Sequence, residues 1–426
     1  MNKLIIKNLY AHRRRYFWIL LELVIVSIIA WLVLDPAVVG IASLSQSPGY
    51  DRDRLVRISL AKEPGGEPGS DNSDDISRIY SRFLADNRVE TAAIANNMVF
   101  ESSGLSLNGL TRGKDPDDLF HMCVDIADVK TFFATFGIVD VNTGSTPEAI
   151  PSSDRDIFVS KSVADFLFPG ENPIGHYLEE HQSNFDADNP GRARRIIGVV
   201  SDAIYRAEYA RTPLIYQYRP TEFTGTPSIV VRLKPGVSAE DYIRDITPTL
   251  SRSMRSGQLY PHSPTAYTAV AARNSGDIDK RVFITVAIAV FFFINVFLGI
   301  TGTFYLQTRR RSEEAGVMRS FGATSAGIVR GMLAEGLILV TLACIVGFTI
   351  YRIFIIKDDG LAKATGWENS VALREVMPMW WDDFTTHFAV ISVLIYVVML
   401  IIVMLGIYIP ARRISRVNPV EALREE

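Results

Sequence analysis

The residues able to do chemistry in this 426-residue chain are spaced in ways that fit no catalytic or metal site. The two cysteines, Cys123 and Cys344, lie far apart, one in a strand-like stretch and one inside an apolar run, so they indicate no disulfide framework. The six histidines (His12, His121, His176, His181, His262 and His387) are scattered, with neither HExxH nor CxxC spacing, so no metal is expected. Acids cluster at Asp115, Asp117 and Asp118 and again at Asp186 and Asp188. They have no EF-hand spacing and form no acid/base pair, and acids grouped in a loop are ordinarily solvated. No G-x-S-x-G elbow is present. The nearest approach to a phosphate loop, Gly109 to Lys114, has one residue too few between its glycines and Asp115 after the lysine. Catalysis, cofactors and nucleotide binding are therefore not expected within these residues. A formal net charge of −3 gives no argument for nucleic acid.

What the chain does offer is polar residues inside apolar runs: Glu22, Asn295 and Glu335. An acid within a span costs a few kcal/mol unless it is paired, near the interface or facing protein. Structural pairing or snorkelling is the expectation here, because no relay of acids runs through the spans. Asn295 could join helices at a subunit interface.

The elements carrying these residues are set by the bilayer. Its core, about 30 Å thick, needs roughly 20 mostly apolar residues at about 1.5 Å rise each. Four stretches qualify: residues 16–39, 282–306, 328–356 and 388–409. The first exceeds the about 7–15 residues of a signal-peptide core, so an uncleaved anchor is expected despite small residues at Gly40 and Ala42. Lys3, Lys7 and Arg13–Arg15 precede the first span, Arg309–Arg311 follow the second, and Arg412, Arg413 and Arg416 follow the fourth. All can lie on the cytoplasmic side only if both termini are inside. Residues 40–281 are then outside, residues 307–327 form a cytoplasmic loop, residues 357–387 a short outer loop and residues 410–426 a cytoplasmic tail. Residues 1–15 read as an amphipathic segment lying on the inner leaflet. Trp18, Trp31, Trp380 and Trp381 stand near span ends, where an indole suits the headgroup layer.

The outer segment is long enough for a core of its own or for two small ones. Strand-like runs fall at 55–60, 157–160, 195–200, 214–218 and 228–233, separated by turn signals such as Asn189-Pro190-Gly191 and Pro235-Gly236. Asp74 or Asp75 is placed to cap a helix with Ile76, Ile79, Tyr80 and Phe83 on one face, and a second helix is expected over 239–250. The fold class expected is a four-helix membrane protein with a large α+β extracytoplasmic domain between the first and second spans.

Two short motifs carry more. Arg310-Arg311-Ser312-Glu313-Glu314-Ala315-Gly316-Val317-Met318-Arg319-Ser320-Phe321-Gly322-Ala323 follows the second span. The chain end runs Pro410-Ala411-Arg412-Arg413 through Pro419, Glu421 and Leu423. Acids early and Arg319 late suit a helix dipole. Gly316, Gly322 and Gly327 imply a break or the close approach of another backbone. On the residues alone this loop reads as a solvated connector. The first motif resembles the "R-x-x-E-I-G-x-x-R-A-x-G-A" segment of MacB/FtsX/LolC-type ABC transporter permeases, with Ala315 where Ile is commoner, and the second resembles that family's "P-A-x-x-A-x-x-x-x-P-x-E-A-L-R" tail. Ile157-Phe158-Val159-Ser160, Asn172-Pro173-Ile174-Gly175 and Ile196-Ile197-Gly198-Val199-Val200 are similar to the MacB-like periplasmic core domain.

The resemblance implies a permease in a bacterial inner membrane, working for export or mechanotransmission. Its loop would be a coupling helix, with Glu313, Glu314, Gly316, Arg319, Gly322 and Ala323 docking on a separate ABC ATPase that holds the ATP and Mg. It also implies a second permease copy or a related permease. A membrane-fusion protein and outer-membrane channel would join it if it serves tripartite efflux. The alternative is an FtsX-like signalling subunit that regulates a periplasmic cell-wall hydrolase. A membrane-anchored enzyme lacks any catalytic constellation.

Overall fold

The computed structural model describes residues 13–63, 72–95, 99–101, 107–111, 119–181, 193–206, 213–219, 227–310, 312–358 and 379–415. The amphipathic reading of the N-terminal segment, the acidic loop clusters, and Pro419, Glu421 and Leu423 fall outside them.

In chain order the elements are α1 (Arg13–Leu44), β1 (Leu55–Lys62), α2 (Ser73–Leu84), β2 (Val89–Ala95), β3 (Leu107–Thr111), β4 (Leu119–Ile126), α3 (Val129–Phe136), β5 (Asp156–Ser160), α4 (Lys161–Leu167), β6 (Tyr177–His181), β7 (Arg194–Val200), β8 (Leu214–Tyr218), β9 (Ser228–Leu233), α5 (Ala239–Ile246), α6 (Leu250–Ser253), β10 (Leu259–Ala266), α7 (Tyr267–Arg310), α8 (Ser312–Ser320), α9 (Ser325–Asp358) and α10 (Phe384–Ile414). They divide into two compact units. One holds residues 43–279 with the described end of 369–379, the other the remaining helical residues, and the boundary falls within α7.

The outer unit has two lobes. In the first, a four-stranded antiparallel sheet of order β10-β1-β9-β2 is covered by α2 and α5. Ile76, Ile79 and Phe83 recur at helical spacing and pack with Val56, Ile58, Ile229, Val231 and Tyr242. Central β9, reading Ser-Ile-Val-Val-Arg-Leu, is buried on both faces, as its run Ile229-Val230-Val231 favours. Two expectations change. Asn72 stands at the N-cap of α2, and Asp74 and Asp75 occupy its first turn, where their charge suits the dipole. The helix begun at Ala239 stops at Ile246, because Pro248 has no N–H to continue the ladder, and a separate turn follows as α6.

The second lobe is a closed barrel of order β3-β4-β8-β5-β7-β6 with parallel pairs β4/β8 and β5/β7. An aromatic cluster joins the lobes: Tyr50, Phe100, Phe132, Phe136, Tyr216 and Tyr267, with Tyr50 and Phe100 stacked at 4.6 Å. Beside it Glu101 is 3% exposed and held at φ +58°. Its carboxylate accepts from Arg52 (3.0 Å), Tyr50 (3.3 Å) and Asn274 of α7 (3.2 Å). Burial, the largest effect, raises its pKa against the lowering pull of these partners.

In the bundle, α1, α7, α9 and α10 are long and apolar enough to cross a membrane, over Tyr16–Leu44, Asp279–Leu306, Ser325–Phe354 and Phe384–Ile414. The helices overrun the apolar stretches because hydropathy marks the hydrocarbon crossed, whereas the hydrogen-bond ladder runs on. Small residues set the packing. A Cβ at Gly336 of α9 would fall on Ile407 of α10, one at Gly347 on Ser27 of α1, and one at Gly406 within 3.1 Å of Ile300 of α7. Trp31 departs from the expected interfacial belt. It is fully buried, stacked on Tyr351 at 4.6 Å and Phe388 at 5.4 Å. Trp381 is also buried, and of the four tryptophans Trp18 is the exposed one.

Candidate coupling surface in the helix bundle

The loop after the second span folds as a short helix and a capped turn. After α8 ends at Ser320, Gly322 takes φ +93°. Its N–H donates to the Arg319 carbonyl (3.0 Å), and that of Ala323 donates to the Met318 carbonyl (3.0 Å). These are the two bonds of a Schellman motif, in which the left-handed residue is best served by glycine. Nothing lies within 4 Å of where a Cβ at Gly322 would stand. Turn geometry therefore explains this glycine, and no neighbouring backbone of the chain approaches it among the described residues. The helices run through Gly316 and Gly327, so of the three glycines Gly322 alone marks a break.

Thr324 caps the next helix, its Oγ1 accepting from the Gly327 N–H at 3.1 Å. Ser325 Oγ then donates to the Ser415 carbonyl at 2.7 Å, which ties the start of α9 to the end of α10. Arg412 and Arg413 stand exposed on that end, Arg412 5.9 Å from the Tyr408 ring. The loop and the first part of the tail motif are thus brought together. Along α8, Gly316 is buried, Arg319 half-buried and Ala323 beyond it exposed. Glu313 and Glu314 fall in its first turn, and their side chains lie outside the described residues. Three residues that charge-based reading passed over are exposed as well. Val317, Met318 and Phe321 present an apolar face, Phe321 with 88% of its surface free. Three apolar side chains within a loop otherwise rich in charge were the available signal.

The intramembrane polar residues separate into three situations. Glu335 accepts from the Tyr16 hydroxyl at 2.8 Å, pairing α9 with α1. Asn295 is exposed on α7 and donates to the Phe291 carbonyl of its own helix at 2.7 Å, so it joins no helix within the chain among the described residues. Gly299 and Gly302 share its exposure. Glu22 is exposed on α1, and among the described residues no hydrogen bond or ion pair reaches it. A further pair was missed in sequence. His387 Nε2 lies 2.6 Å from Asp35 Oδ1, with both side chains fully buried. An Asp before a proline in an otherwise apolar run was its only trace.

Residues 25–249 match the family "MacB-like periplasmic core domain" and residues 286–419 the family "FtsX-like permease C-terminal". A relative, "Macrolide export ATP-binding/permease protein MacB" of Campylobacter fetus subsp. fetus (strain 82-40), is 24% identical over 296 residues, covering 66% of this chain. The chain spans 40% of that relative's length. Similar solved structures include the periplasmic region of MacB from Actinobacillus actinomycetemcomitans, at 16% identity and TM-score 0.32. It covers 54% of this chain and 95% of that one. The extracellular domain of the noncanonic ABC-type transporter YknZ from Gram-positive bacteria is similar at 12% identity and TM-score 0.29, covering 49% and 100%. The two family matches account for the outer domain and the spans in order, and with them the chain belongs to the MacB/FtsX family of ABC transporter permeases, as a multi-pass membrane protein with an extracytoplasmic domain.

Proposed function

We propose that this permease couples ATP hydrolysis by a separate ABC ATPase to movement of its outer domain, for export or mechanical transmission. The observation that carries the reading is the α8 tip. It is a short helix between two spans, closed by a rigid cap, with Val317, Met318 and Phe321 exposed. Apolar side chains held at a fixed angle suit docking into a groove of a partner. The Ser325–Ser415 tie carries a push on α8 to both α9 and α10. ATP and Mg belong to the partner. A second permease copy or a related permease completes the unit, and exposed Asn295, Gly299 and Gly302 on α7 support a helix–helix face there.

The test is Val317→Asp with Phe321→Asp in the reconstituted complex, leaving Gly322 and its turn intact. The expected result is loss of ATPase stimulation and of ATPase co-purification, with the protein still inserted and its outer domain still protease-resistant. Wild-type coupling in the double variant refutes the assignment of this loop.

A further inference from the structure

We propose that Asp35 and His387 together bind one proton, and that this proton ties the first membrane helix to the fourth. The inference rests on donor and acceptor senses and does not depend on the transport reading. His387 Nδ1 lies 2.9 Å from the Trp381 carbonyl oxygen, which can only accept, so Nδ1 carries hydrogen. Its other nitrogen, Nε2, lies 2.6 Å from Asp35 Oδ1. A carboxylate facing an unprotonated nitrogen would set two acceptors against each other at that distance. Two arrangements satisfy the geometry: imidazolium with carboxylate, or neutral imidazole with carboxylic acid. Each places a proton between the two atoms, and each leaves the pair with no net charge.

The surroundings favour the same content. Asp35 and His387 are both 0% exposed among Trp31, Tyr351 and Phe388. The second carboxylate oxygen of Asp35 and the indole N–H of Trp31, one turn back, are buried without partners among the described residues. A lone carboxylate would be an unbalanced charge in an apolar interior, and removing the proton would create one. The ionisable groups toward this end of the neighbouring helices include Tyr351 and Arg352 on α9, Asp382 and Asp383 at the head of α10, and Lys280 and Arg281 on α7. Among the described residues none of them hydrogen-bonds to Asp35 or His387. Pro36 follows Asp35 directly and leaves the Leu32 carbonyl without its helical N–H donor. The proton therefore secures α1 at the point where its own ladder is interrupted.

Thermal unfolding of the full chain in lipid nanodiscs reads the tie. Asp35→Asn keeps a donor to Nε2 in its amide, whereas Asp35→Ala removes the contact. The expected result is an Asp35→Asn midpoint near wild type and an Asp35→Ala midpoint well below both. Equal losses in the two variants overturn the proposal. If Asp35→Asn fails to fold, nitrogen-15 spectra of ring-labelled histidine decide, with His387→Gln identifying the signal. A His387 ring with a bare Nε2, free of any hydrogen bond, also overturns it.

Discussion

The two units of the chain solve the same packing problem with opposite materials. The outer unit fills its interior with large side chains, such as Phe83, Phe132, Phe136 and Tyr216, and keeps most of its ion pairs at the surface. The bundle is held by glycines against branched side chains and by buried polar contacts, Tyr16–Glu335 and Asp35–His387. The solvent explains the contrast. Water drives apolar area into a core at about 25 cal/mol per Å². Lipid tails give helices no such drive, so close backbone approach and polar bonds take over.

Truncation should therefore cost most in the outer unit, and enlargement should matter in the bundle. Phe83→Ala removes a fully buried ring between α2 and its sheet, and should destabilise the outer unit by about 3–5 kcal/mol. Denaturant unfolding of the full chain, followed by protease sensitivity of the outer domain, measures it. Gly336→Leu should cost about 1–3 kcal/mol, because the new side chain must displace Ile407. Its effect should appear as a lower midpoint for the bundle in detergent, with the outer domain unaltered. Reversed sensitivities would dissolve the contrast.

The same contrast decided what could be read in sequence. In the outer unit the helices meet water on one face, so Ile76, Ile79 and Phe83 announce a buried stripe, and short apolar runs such as 214–218 announce buried strands. In the spans nearly every residue is apolar, so sequence locates the helices without telling Leu23, which is buried, from Leu21, which is not. That is why Trp31 was misplaced at an interface and the Asp35–His387 pair went unseen. The helix pairing depends on which glycine meets which neighbour. The loop after the second span was marked by its motif, but its exposed apolar tip was not, since exposure depends on the direction in which α8 leaves the membrane helices. The closed barrel was equally hidden, because strand order is set by contacts remote in sequence.

A smaller effect probes a place where the outer unit behaves like the bundle, the buried Glu101. Burial chiefly raises its pKa in the folded state. A raised carboxyl contributes stability that is fully present below the ordinary carboxylate range and is lost as pH rises through the folded value. Acidification from neutral pH should thus lower the wild-type midpoint less than that of Glu101→Gln, whatever the paired Asp86 and Asp156 lose in both. Thermal midpoints of both proteins across the acidic range check this. A smaller loss in the variant would mean that the ion pair with Arg52 outweighs burial.

The smallest change in stability should come from the α8 cap, where the two sets of materials meet in one turn. Gly322→Ala must hold φ near +93°, and left-handed backbone costs an L-residue roughly 1–2 kcal/mol. No steric clash adds to this, because no described atom lies within 4 Å of the new Cβ position. The bundle's midpoint should therefore move only slightly. The consequence for coupling is larger than the energy suggests. The cap fixes the angle at which Val317, Met318 and Phe321 project, and a docking face that wavers must be ordered again on each binding event. ATPase stimulation in the reconstituted complex should fall several-fold in Gly322→Ala, while Ala326→Gly, at an exposed position beyond the turn, should leave it near wild type. Equal losses in both would make the loop a connector sensitive to any change. Losses confined to Gly322→Ala would tie coupling to the left-handed turn.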